Sequence, residues 1–476
     1  MTRSTCLIGT LVLAAMVSYG AAVSSQTAPP ASSGSAQTPP PAPQTQGQSE
    51  ISLIISADAL APPRYAVPDF LALSSDAETM AAAKTISQVL WDDLEFEREF
   101  YTIPRDTYRT IPAATSANAN DIPFDRWREL GADGLVIGTV QKTGDGLRIE
   151  ARLYNVRSRQ SVFGKEYTGG SGNSRLYAHT IADELHQQQR GLRGVARTKL
   201  AFSSDRDGER VVGTIEKREV KEIYISDYDG ANQRRVTVNR GLNIFPVWTP
   251  DARGILYTSY RRGYPDLFLS LIYQGVLQEP TVKHVSDALG NRPQSTLGMV
   301  SPDGNRIAFS SSRDGNSEIY VMNRDGSNVV RLTNNTAADI TPTWNPQGTR
   351  IAFTSDRTGP PQIWLIDTDG TNLQKLTSEP YADRATWSSL GTEIAYTART
   401  GPGNDLKVMD LATRQVRQLT FGEGTNESPV FAPNGRHLAF QSTRAGKMQI
   451  FTIARDGKDL RQITRVGNNF TPSWSP

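Results

Sequence analysis

The sequence predicts a mainly β protein: a six-bladed β-propeller closed by its own C-terminal strand and preceded by a small α/β domain. Three observations carry this. An aromatic or apolar residue before a Ser/Thr/Asn/Ala-Pro step recurs at Trp248, Val300, Trp344, Trp387, Phe431 and Trp474, at intervals of 52, 44, 43, 44 and 43 residues, with Ser389 in place of proline in the fourth. A short apolar strand recurs with the same rhythm at Leu200, Ile255, Ile307, Ile351, Ile394 and Leu438. The two series are offset by one element. Lys199–Asp205 has no Trp-type strand before it, and Asn469–Pro476 has no strand after it, so the two halves are expected to pair and complete a ring. Periods of 40 to 50 residues built from short strands are the signature of propeller blades.

At 476 residues the chain exceeds what one core usually organises. It has 37% hydrophobic and 21% charged residues, and a net charge of +2 gives no dedicated surface for nucleic acid or anionic membrane. Residues 1–23 read as a signal peptide: Met1-Thr2-Arg3 is a positive start, Cys6 to Val17 an apolar run too short to span a bilayer, and Gly20-Ala21-Ala22 or Ala22-Val23-Ser24 a small-residue cleavage site. A lipid anchor would need its cysteine at the end of that run, and Cys6 lies at its start. Without this one cysteine the mature chain has no thiol for disulfides, thiolate catalysis or Cys-ligated zinc. Residues 24–49, including Thr38-Pro39-Pro40-Pro41-Ala42-Pro43, offer nothing to a core and are expected to form a disordered tether. The chain is expected to be exported, soluble and monomeric.

The α/β domain is expected over residues 50–195. Strands are expected at Glu50–Ala57, at Tyr65-Ala66-Val67 and over Gly134–Val140. Ser75-Asp76-Ala77-Glu78 has the form of a capping box. After it, Met80, Ala83, Ile86, Val89, Leu90 and Leu94 fall at helical spacing and predict one apolar face. A short helix over Asp125–Leu130 ends at Gly131. Lys142–Gly146 turns into the alternating strand Leu147–Leu153, and a last helix spans about Ser174 to Gln189.

The propeller is expected over residues 196–476. In the repeat beginning near Pro342, strands fall at Pro342–Trp344, Ile351–Thr354, Gln362–Ile366 and Gln374–Thr377, with Asp367-Thr368-Asp369-Gly370 as a tight turn. Val300 at an aromatic position and Arg414 at a turn-glycine position predict two less regular blades. The marker tryptophans are expected to pack between blades. Ser-Asp-Arg-Asp-Gly at 204–208 and Ser-Arg-Asp-Gly at 312–315 look like short acidic loops but lack the full series of calcium ligands, so turn chemistry is expected there.

Little points to catalysis. The four histidines are scattered, and neither a Gly-x-Ser-x-Gly elbow nor a phosphate-binding Gly-rich loop occurs. His179, Asp183 and His186 share one helical face at spacings of four and three, but the zincin order is absent, so a surface or packing role is expected. No metal and no cofactor are expected.

The segment Ser301-Pro302-Asp303-Gly304-Asn305-Arg306-Ile307-Ala308-Phe309, together with Leu130–Gly138 and His179–Leu185 in the first domain, resembles the TolB family of the periplasmic Tol-Pal system over roughly residues 50–476. The resemblance implies a periplasmic, non-enzymatic adaptor. Such an adaptor binds the peptidoglycan-associated lipoprotein Pal through the propeller and the inner-membrane protein TolA through an N-terminal box. The box corresponds to Glu50, Ile51, Ser52, Leu53, Ile54, Ile55, Ser56 and Ala57. Ser56 and Ala57 stand where the family often has Asp and Ser, and a tether of about 25 residues precedes the box. The implied Pal-facing positions are the loops entering the Trp-bearing strands: Ile244 and Phe245, Thr296, Ile340 and Thr341, Asp383 and Arg384, Glu427 and Ser428, Phe470 and Thr471. Ile244, Ile340 and Phe470 would be apolar anchors there. The competing class is an exported propeller that binds a small molecule, glycan or cell-wall fragment in its central channel.

Overall fold

The computed structural model describes residues 61–211, 218–272, 283–284 and 295–476. The expected signal peptide, tether and residues 50–57 lie outside these. In the α/β part the order is β1 (Arg64–Ala66), β2 (Leu71–Ala72), α1 (Ala77–Glu97), β3 (Tyr101–Thr102), α2 (Phe124–Glu129), β4 (Gly134–Thr143), β5 (Gly146–Asn155), β6 (Ser161–Gly169) and α3 (Ser174–Arg190). The sheet runs β3-β1-β4-β5-β6, and β2 pairs with β4. β4 is buried on both faces, which is why it reads as a continuous apolar run. Leu135 and Ile137 join Phe124 and Trp127 of α2, while Val136 and Val140 join α1 and α3.

Two features of α1 differ from the sequence reading. Its cap is Asp76, whose Oδ1 accepts the Thr79 amide at 2.9 Å, rather than Ser75. Glu78 turns outward to Lys142 (2.9 Å) and Ser171 instead of closing a capping box. Met80 is 55% exposed, because the buried stripe runs through Thr79, Ala82, Ala83, Ile86, Val89, Leu90 and Leu94.

From Lys199 the chain forms six four-stranded sheets. The second strand of blade one, Lys199–Ser204, takes the C-terminal Asn469–Trp474 as its innermost partner, with Trp474 opposite Leu200 and Asn469 opposite Ser204. Ser475 seals the joint, its amide donating to the Lys199 carbonyl and its hydroxyl accepting the Lys199 amide. The expected pairing of the two half-repeats is therefore observed. Blades two to six begin with Asn243–Trp248, Ser295–Val300, Asp339–Trp344, Ala382–Trp387 and Asn426–Phe431. The blades with Val300 and Arg414 keep the same strand order, and Arg414 itself adopts a left-handed φ of 62°.

Two repeated polar ties explain motifs that the strand pattern alone leaves open. At the start of the third strand an acid or amide (Glu222, Glu318, Gln362, Asp405, Gln449) accepts the hydroxyl of a threonine after the fourth (Thr237, Thr333, Thr377, Thr420, Thr464). The threonine oxygen in turn accepts the next backbone amide at 2.8–3.0 Å. The Ser-x-Arg steps of the acidic-looking turns are clamps of a different kind. Arg206, Arg313, Arg357 and Arg444 each lie over two aromatic rings of their blade. Each also hydrogen-bonds the serine two residues earlier through Nε at 2.9–3.2 Å. Asp205 and Asp207 of the 204–208 turn are spent on Asn468 and on Tyr224 with Arg235.

The α/β part and the ring belong to one unit. They meet where the inner strands finish, at blades six and one. Buried Glu97 accepts the Val195 amide (2.6 Å), Asn434 (3.0 Å) and Arg436. His437 donates from Nε2 to the Phe96 carbonyl at 2.9 Å and stacks on the Phe96 ring at 4.2 Å. Arg98 pairs with Asp456 and Asp459, and Arg461 with Glu95. Glu97→Ala leaves Arg436 without its buried partner and is expected to destabilise the protein by roughly 3–5 kcal/mol. Thermal denaturation checks it; a loss below about 1 kcal/mol would mean that the carboxylate is not holding the joint.

Candidate binding face and channel

The residues expected in loops lie instead within the innermost strands, near their starts. Every inner strand carries a β-bulge at the same place, as between Ile244 and Val247 or between Phe470 and Ser473. At each bulge one residue takes a left-handed φ: Phe245, Leu297, Thr341, Arg384, Ser428 and Thr471, all between 47° and 55°. Such bulges re-aim side chains, and all six residues line the central channel. Leu297 is the position the sequence reading passed over; Thr296-Leu297-Gly298 falls in register with Ile244-Phe245-Pro246.

Ile244, Thr296, Ile340, Asp383, Glu427 and Phe470 precede the six and are half-buried. Lys221 lies 3.9 Å above the Phe470 ring. Asp383 accepts Thr354 (2.8 Å), Tyr381 (3.1 Å), Thr341 (3.2 Å) and the Arg384 amide (2.6 Å). Burial, with Asp383 beside it, pushes the Tyr381 phenol up to about 12, so it remains a donor at neutral pH. Glu427 accepts Asn404 (2.7 Å) and Gln441 (3.0 Å). The bonds from the α/β part go to the opposite end of the ring.

The channel holds a cavity of about 520 Å³. The marker residues Trp248, Trp344, Trp387, Phe431 and Trp474 border it while packing among neighbouring blades. Among the described residues Arg384 is the one lining residue with a charged side chain, and its guanidinium crosses the channel to lie 5.0 Å from the Phe245 ring. Among the described residues no Asp, Glu, His, Lys or Cys side chain lines the cavity.

His179, Asp183 and His186 do not converge. His179 Nδ1 pairs with Asp93 at 2.8 Å, His186 Nδ1 donates to the Ala182 carbonyl at 2.8 Å, and Asp183 accepts Ala196 and Arg197. Their roles are in packing and domain joining, and both histidines are buried rather than on the surface.

Comparison with known proteins agrees with this architecture part by part. The family described as the TolB amino-terminal domain matches residues 51–162, and the TolB beta propeller domain matches residues 290–476. The crystal structure of TolB from Acinetobacter baumannii superposes with a TM-score of 0.70 at 25% identity, covering 87% of this chain and 96% of that one.

The chain thus matches both TolB domain families, amino-terminal domain first and propeller second.

Among TolB relatives, a Tol-Pal system protein TolB of Anaeromyxobacter dehalogenans is 33% identical over 62% of this chain and 65% of its own length. That of Desulfosudis oleivorans is 34% identical over 43% of this chain and 44% of its own. The matches thus span less than two thirds of these relatives. Among the described residues no helix is long and apolar enough to cross a membrane.

Proposed function

We propose that the protein is a periplasmic, non-enzymatic adaptor of the Tol-Pal system. In this reading it binds a Pal-like lipoprotein through the propeller end where the inner strands start, and a TolA-like protein through residues 50–57. The observation that carries it is the division of the ring's two ends. One is joined to the α/β part; the other presents half-buried Ile244, Ile340 and Phe470 around a rim that differs from blade to blade. Partly exposed apolar side chains within a polar rim suit a protein contact.

The test is capture of a purified peptidoglycan-associated lipoprotein by the full chain. Ile244→Asp and Phe470→Asp are expected to weaken capture by about 10-fold or more each, with unchanged melting temperature. Deleting residues 50–57 is expected to abolish binding of a TolA-like protein while sparing the lipoprotein. Undiminished capture by both rim variants would overturn the assignment of this face.

A further inference from the structure

The channel wall has a surplus of donors. Arg384 Nε comes no nearer than 3.7 Å to Asp383, the guanidinium's one ion-pair partner among the described residues, and Asp383 is already occupied by three hydroxyls and a backbone amide. One blade onward, at the same bulge position, Ser428 is 8% exposed and its hydroxyl has no partner. A buried donor left unpaired is a standing cost that an incoming acceptor relieves. The rest of the wall is largely tryptophan, proline and aliphatic side chain, and the cavity is large enough for an organic molecule.

We propose that this channel binds a small amphipathic carboxylate, with the carboxylate held between Arg384 and Ser428 and an apolar, flat body lying against the tryptophans and prolines. A guanidinium fork matches the two oxygens of a carboxylate. Phe245, whose ring centroid lies 5.0 Å from the guanidinium carbon, contacts the face of the guanidinium rather than accepting from its N–H groups. The inference is independent of the adaptor reading, since it concerns the channel interior and holds whether or not a lipoprotein docks on the rim.

The experiment titrates 2-naphthoate, and its neutral isostere 2-naphthamide, into the full chain while following tryptophan fluorescence. Naphthoate is expected to bind saturably, with at least about tenfold preference over the amide. Arg384→Gln is expected to remove that preference without changing naphthamide binding, and Ser428→Ala to weaken naphthoate by a few-fold, both with an unchanged melting temperature. Absence of saturable naphthoate binding up to about 1 mM overturns the proposal. So does equal binding of acid and amide, or a preference that survives Arg384→Gln. If Arg384→Gln lowers the melting temperature, Ser428→Ala and the acid-to-amide ratio of the unaltered protein decide in its place.

Discussion

A chain ended at Thr464 is expected to lose its single cooperative unfolding transition. The deletion removes the innermost strand of blade one, so Lys199–Ser204, whose Leu200, Ala201 and Phe202 are fully buried, becomes an unpaired edge. It also removes Trp474, which is 6% exposed and donates to the Thr198 hydroxyl at 2.8 Å. Losing one buried tryptophan alone costs about 3–5 kcal/mol, and the backbone ladder goes with it. Against a total stability of about 5–15 kcal/mol, that is enough to unfold the blade. Calorimetry should show a lowered and broadened transition, with dye-accessible apolar surface at physiological temperature. An unchanged melting profile would mean that the ring holds without its clasp.

Two buried groups at the joint are expected to impose opposite pH dependences that conceal one another in the intact protein. Asp93 accepts His179 and the Tyr228 hydroxyl (2.7 Å), and burial pushes its carboxyl up to about 6. Its favourable contribution is full below the ordinary carboxylate range and is lost as pH rises through about 6. His437 is held neutral by burial and by nearby Arg436, its pKa pushed down to about 3. Its contribution is full above about 6.5 and is lost as pH falls toward 3. Between pH 4 and 6 each slope reaches at most about 1.4 kcal/mol per pH unit, and the signs are opposed. Relative to the unaltered protein, Asp93→Asn should therefore gain about 2 kcal/mol from pH 4 to 6, and His437→Gln should lose a similar amount. Denaturant unfolding at several pH values measures both differences. Parallel curves for either variant would remove that group from the account.

The ring was legible because its determinants are local and repeated: the Trp-type strand, the Ile-Ala-Phe strand and the Asp-Gly turn lie within one period. The closure was legible for the same reason, as two half-repeats lack partners only until they are paired. Determinants that depend on distant residues did not show. Ser74, Ser75 and Asp76 are all capable caps; Asp76 takes the Thr79 amide while Glu78 bonds Lys142 and Ser171 from far along the chain. β6 was passed over because its edge position leaves a mostly polar sequence with little alternation. Asp93 sits in the charged run Trp91–Glu99, which reads as a solvated face, yet it is completed by His179 and Tyr228 from far along the chain. The rim residues were found by repeat alignment, but their placement in loops missed the bulge. Nothing in Ile244-Phe245 or Asp383-Arg384 announces a left-handed residue, because the same strain is imposed on six different side chains by the ring's geometry.

The α/β part is fastened to blade six and to blade one, within which the seam joins Asn469–Trp474 to Lys199–Ser204. Any pull on α1 passes through Glu97 and Arg98 into blade six and through Asp93 and Tyr228 into blade one. Mechanical load on the first domain therefore reaches the ring on both sides of its closing joint, beside the Thr198 hydroxyl that accepts the Trp474 indole N–H.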